Sequence, residues 1–99
     1  MASVRLLRVA ESELDEAVKW YEARSPQTAR RFEDAVAAAL ERIAAMPQMY
    51  ALADDRHRVC PIRRSQYLLV YRYEPADEEV IVIAVANASQ DPPAWQSRV

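Results

Sequence analysis

The sequence predicts an α+β domain in the order strand, helix, helix, strand, strand, strand, forming a small, mainly antiparallel sheet with a helical hairpin packed on one face. Three observations carry this expectation. Residues 12–45 hold two stretches whose apolar side chains recur every three or four positions, the period of one helix face. Residues 57–86 hold alternating or continuously apolar runs separated by turn residues, as strands do. The link between the two helical stretches is so short that the helices must reverse on each other. A chain of 99 residues, 52% of them apolar, makes one core and one domain over residues 1–99.

Residues 3–9, SVRLLRV, read as the first strand, ended by a polar cluster. At Ser12 the period changes. Its hydroxyl is placed to cap a helix, and Glu13, Asp15 and Glu16 suit the positive end of the helix dipole. Leu14, Ala17, Val18 and Tyr21 then fall on one face, with Trp20 beside them. Ser25-Pro26 restarts a helix, serine as cap and proline where no amide hydrogen is needed. This second helix runs to about residue 45 on a stripe of Ala29, Phe32, Val36, Leu40 and Ile43, and Pro47 stops it. Alanines at 35, 37, 38, 39, 44 and 45 let the hairpin close tightly.

Residues 57–63 read as a strand that Pro61 confines to an edge or a bulge, since proline cannot donate to the ladder. Arg64-Ser65 is a tight corner. Residues 66–74 place Tyr67, Leu69, Tyr71 and Tyr73 on one face and Leu68, Val70 and Arg72 on the other. Pro75-Ala76-Asp77 is a turn. Residues 80–86, VIVIAVA, are apolar on both faces, so this strand is central, with helices on one side and some other cover on the second. The tail carries a Pro-Pro pair and Trp95, which reads as an anchor on a short turn folded back against the sheet.

Composition removes several functions. The net charge of −2 argues against a general nucleic-acid binder, which needs a broad positive field. Glycine is absent, and with it glycine-rich phosphate loops and dinucleotide fingerprints. The single cysteine, Cys60, sits in an apolar strand pattern and reads as a small buried thiol in a reducing compartment. MASVRLLRVAESE has only a broken apolar run, so it is neither signal peptide nor membrane span. A cytoplasmic protein with no cofactor, no metal and no membrane contact is expected.

Against this acidic background, RHRVCPIRRSQYLLVYR carries Arg56, Arg58, Arg63, Arg64 and Arg72 and no carboxylate. Guanidinium groups interleaved with Tyr67, Tyr71 and Tyr73 can pair with phosphate or carboxylate and stack on flat groups, which makes this stretch the candidate recognition surface. The competing reading is a solvated strand face whose tyrosines pack across strands. His57 changes charge near neutral pH, so it is either a proton-transfer group or a hydrogen-bonding residue at a strand start. The acidic residues of the first helix read as a solvated face.

Taken in order, ESELDEAVKWYEARSP, ARRFEDAVAAALERIAAMP, RVCPIRRSQYLLVYRY and VIVIAVANASQDPPAW resemble the ParE/RelE superfamily, the toxin half of type II toxin–antitoxin pairs, over nearly the whole chain. The aspartate-proline followed by tryptophan near the C-terminus is most similar to the ParE side. The resemblance implies a cognate antitoxin whose C-terminal segment wraps exposed grooves of the toxin, covers apolar sheet surface and meets Arg56, Arg58, Arg63, Arg64 and Arg72 with carboxylates.

Two activities are implied. ParE-like members poison DNA gyrase by protein contact, for which Arg58, Arg63, Arg64, Tyr67, Asn87, Gln90 and Trp95 are the candidate target-binding residues. RelE-like members cut mRNA on the ribosome, for which His57, Arg63, Arg64 and Tyr71 would handle the scissile phosphate. The gyrase reading is favoured. The only lysine, Lys19, lies on the first helix, and Asn87 and Gln90 stand where many relatives carry histidine and arginine. A third possibility is a toxin-fold protein that keeps antitoxin binding without toxicity.

Overall fold

The computed structural model describes residues 1–89 and 94–98. Its elements are β1 (Ser3–Leu6), α1 (Arg8–Glu22), α2 (Pro26–Ala45), β2 (Arg58–Pro61), β3 (Tyr67–Glu74) and β4 (Glu79–Asn87), with single 3₁₀ turns at Pro75–Asp77 and Ala94–Ser97. The strands form one sheet in the order β1-β4-β3-β2. β1 runs parallel to β4, and the other two pairings are antiparallel. The α+β class, the helical hairpin on one face, the central place of the last strand and the edge place of the proline strand are as the sequence predicts.

Helix α1 begins at Arg8, not after Ser12. The pairing of β1 with β4 ends at Leu6, and the chain must leave the sheet at once. The Leu7 amide donates to the Val82 carbonyl, and the Leu7 carbonyl accepts from Glu11, so the strand-to-helix turn forms with no side-chain cap. Ala10, fully buried, begins the stripe that continues through Leu14, Ala17 and Tyr21. Arg8 and Val9 prolong the apolar run of residues 3–9, which is why they read as strand. α2 starts as its sequence indicates, with Ser25 Oγ accepting from the Thr28 amide and Pro26 in the first position.

Between β3 and β4 the register slips at Val70/Tyr71, where Val70 pairs with Ala84 and Tyr71 with Val82. Ile83 is therefore an extra residue, and the bulge bends the strand. Toward the helices the sheet presents Leu69, Tyr71, Val80, Val82 and Val85 to Phe32, Val36, Ala39 and Ile43. Away from them Val70, Ile81, Ile83, Ala84 and Ala86 form a second cluster under Trp95, with Leu7 and Val59 at its sides. The expectation that β4 leaves apolar surface for a partner is corrected here, because Ile81 to Ala86 are already buried. The C-terminal 3₁₀ turn supplies that cover.

An ionic tie holds this tail. Arg98 Nη1 and Nη2 donate to the two carboxylate oxygens of Glu13 at 2.9 and 3.0 Å, and Nη1 also donates to the Ile83 carbonyl. Glu13 Oε1 accepts in turn from the Val85 amide at 3.0 Å. Beyond Leu6 no strand among the described residues pairs with this edge of β4, so a carboxylate on α1 and a guanidinium on the tail bind backbone groups that a longer β1 would have taken.

With no glycine available, Arg64 (φ 58°) and Glu78 (φ 47°) take the left-handed conformation in the turns before β3 and β4. Each carries a steric penalty of about 1–2 kcal/mol, offset by the strand pairings it permits.

Candidate functional site

The five arginines of residues 56–72 do not form one ribbon. Arg58 is half-buried at the start of β2 and donates to the carbonyls of Tyr50 at 2.7 Å and Gln48 at 3.3 Å, so it pins the loop after α2. Arg72 lies on the sheet face away from the helices, opposite Ile81, and its Nε donates to Glu74 at 3.0 Å. Arg56 is exposed in the loop before β2. Only Arg63 and Arg64, at the tip of the β2–β3 hairpin, stand together, exposed and without a hydrogen bond or ion pair among the described residues.

The residues named for phosphate chemistry are also dispersed. His57 is 3% exposed, its Nδ1 lies 2.9 Å from Asp54 Oδ2, and its ring meets Trp95 edge-on at 5.8 Å. Asp54 also accepts from the amides of Arg56 and His57. The Arg56 amide first, and then the His57 ring, hold its carboxyl at about 2, below the ordinary 3.8. An ionised carboxylate only accepts, so Nδ1 carries the proton of that contact. Among the described residues His57 Nε2 has no hydrogen-bond partner, and it is buried. Tyr71 is fully buried, donates to the Pro47 carbonyl at 2.7 Å, and is pushed by burial up to about 12. These groups brace a loop, and Arg63 and Arg64 are placed elsewhere, against α2.

Among the remaining candidates, Tyr67 is half-buried and packs on Phe32 and Tyr21, with ring centres 5.6 and 6.2 Å away. Asn87 Oδ1 accepts from the amide and hydroxyl of Ser89, closing a local turn. Trp95 is buried in the cluster on the far sheet face. Gln90 lies outside the described residues.

Two grooves flank α2. One, of about 460 Å³, lies between α2 and the hairpin tip, with Phe32, Ala35 and Ala38 along its wall and Arg31, Arg63 and Arg64 at its rim. The other, of about 340 Å³, runs between α1 and α2 over Leu14, Val18, Val36 and Leu40. Asp15, Glu22 and Glu33 border it, with Lys19 as the only cation there.

The family model of the ParE toxin of the type II toxin–antitoxin system, parDE, matches residues 4–92. The chain belongs to the ParE toxin family. Eight chains of solved structures match its fold. One is the chromosomal ParDE toxin–antitoxin system from P. aeruginosa, with a TM-score of 0.65 at 18% identity over 90% of this chain and 98% of that one. None of the curated proteins matches this sequence. Among the described residues no helix is long and apolar enough to cross a membrane.

On this ParE fold, two features escaped the sequence reading. Arg31 reads as one more exposed helix charge until the β2–β3 register carries Arg63 and Arg64 to it. The apolar floor of the α1–α2 groove had a signal: Leu14, Val18 and Leu40 are stripe residues left half-buried beside the buried Val36.

Proposed function

We propose that this ParE family member is the toxin of a type II pair, that it arrests growth by binding DNA gyrase and trapping its cleaved-DNA state, and that a cognate antitoxin silences it. The observation that carries the choice of contact over cleavage is the dispersal of the groups a nuclease would need. His57 is shut under Trp95 and bound to Asp54. Tyr71 is committed to the Pro47 carbonyl, and its raised pKa makes it a poor proton donor near neutral pH. Arginine stays protonated, so Arg63 and Arg64 cannot serve as bases.

What the surface offers instead is an exposed pair, Arg63 and Arg64, joined by Arg31. These residues are the proposed contact for carboxylates or phosphates of a macromolecule. Arg58 and Arg72 act by holding the fold, and Tyr67, Asn87 and Trp95 by shaping it. The antitoxin's C-terminal segment is proposed to lie in the grooves beside α2.

Purified toxin is to be tested for inhibition of gyrase supercoiling and accumulation of the cleaved-DNA complex, beside toeprinting of mRNA on translating ribosomes. Supercoiling should fall, and paired substitution Arg63→Ala/Arg64→Ala should relieve the inhibition. Codon-linked mRNA cuts with gyrase untouched would reverse the choice.

A further inference from the structure

The two grooves beside α2 carry opposite charge, and from this we infer that they fix the direction in which a partner segment lies across the toxin. This rests on the antitoxin reading above and adds to it a polarity. On the hairpin side, Arg31, Arg63 and Arg64 outnumber Asp34, and none of the three guanidiniums is engaged by a hydrogen bond or ion pair among the described residues. On the α1 side, Asp15, Glu22 and Glu33 outnumber Lys19, and these side chains are equally unengaged.

The ridge between the grooves is low where it matters. Ala37 borders one groove and Ala38 the other, and both are exposed. A chain can cross α2 there without displacing a long side chain. The floors on either side are apolar, Phe32 and Ala35 in one groove, Val36 and Leu40 in the other. A helix with its side chains is about 10 Å across, so a segment seated in both grooves spans on the order of 20 Å. The occupant is an amphipathic protein segment of the antitoxin, apolar in its middle, acidic where it meets Arg31, Arg63 and Arg64, and basic where it meets Glu22 and Glu33. Laid in reverse, it would set like charges against each other at both ends, which costs more than losing the attraction. A nucleic acid fits only the arginine groove and would be repelled by the other.

The test uses the full-length chain and the protein encoded by the adjoining reading frame, purified together and separately. Arg63→Glu/Arg64→Glu and Glu22→Lys/Glu33→Lys should each weaken binding by at least about tenfold, and less so at high salt. All four positions are exposed, so thermal melts should match the parent. Arg31→Glu, outside the strained turn, gives the same reversal by a second route. Reversing the acidic end of the partner should rescue the arginine variants alone, and reversing its basic end the glutamate variant alone. Rescue of both by one end, or binding of either double variant within about twofold of the parent, overturns the polarity and leaves the antitoxin reading standing. Failure of the unmodified pair to bind overturns both.

Discussion

At the residue scale, Asp54 shows how one carboxylate organises a loop that has no regular structure of its own. It accepts from two backbone amides and from the His57 ring, and these contacts hold its carboxyl at about 2 against an ordinary 3.8. A carboxylate with a depressed pKa contributes stability that is complete above its unfolded value and disappears as pH falls through the folded one. Urea unfolding should therefore show the parent losing stability between about pH 4 and pH 2, in step with that shift. Asp54→Asn should be less stable at neutral pH, and the gap between the two proteins should narrow across that window. A gap that stays constant to pH 2 would mean the carboxylate's charge has no part in it. None of this was legible from ADDRH, because the sequence does not say that the chain turns tightly enough for an aspartate to reach the amides that follow it.

At the element scale, the secondary structure was largely legible, and its failures have local causes. Periodicity located α2 to its capping serine, and alternation assigned the faces of β3, because both follow from residues close in sequence. The start of α1 was misplaced because β1 is cut short by its pairing with β4, a contact between residues 3–6 and 79–82 that no local pattern records. The open edge that results is bound by Glu13, which reads in the sequence as one more solvated acid. Glu13→Ala would leave the Val85 amide and the Arg98 guanidinium without this partner. The expected cost is about 2 kcal/mol, typical of losing hydrogen bonds to a charged group. Amide exchange at Val85 should accelerate, while exchange at Val70 in the β3 core should follow only the global loss. Unchanged protection at Val85 would remove the carboxylate from the account of that edge.

At the scale of the whole molecule, the tail decides whether the sheet has one covered face or two. Trp95 sits on the cluster of Val70, Ile81, Ile83, Ala84 and Ala86. Trp95→Ala should destabilise by about 3–5 kcal/mol, as for large aromatic truncations in cores. In a small domain of about 5–15 kcal/mol total stability this is a major fraction. Enhanced binding of a hydrophobic dye, together with a lowered urea midpoint, would report the uncovered face; a parent-like midpoint would show that Trp95 is not the anchor. By itself the sequence determined the class, the element order, the strand faces and membership in a toxin family, since these depend on periodicity and on motifs contiguous along the chain. Only the tertiary structure divided the arginines among four places, turned a candidate base into a buried brace and set an acidic groove and a basic one on opposite flanks of α2. Those outcomes depend on strand register and on helix packing, which bring residues tens of positions apart together, and a slip of one position in a strand would send its side chains to the other face.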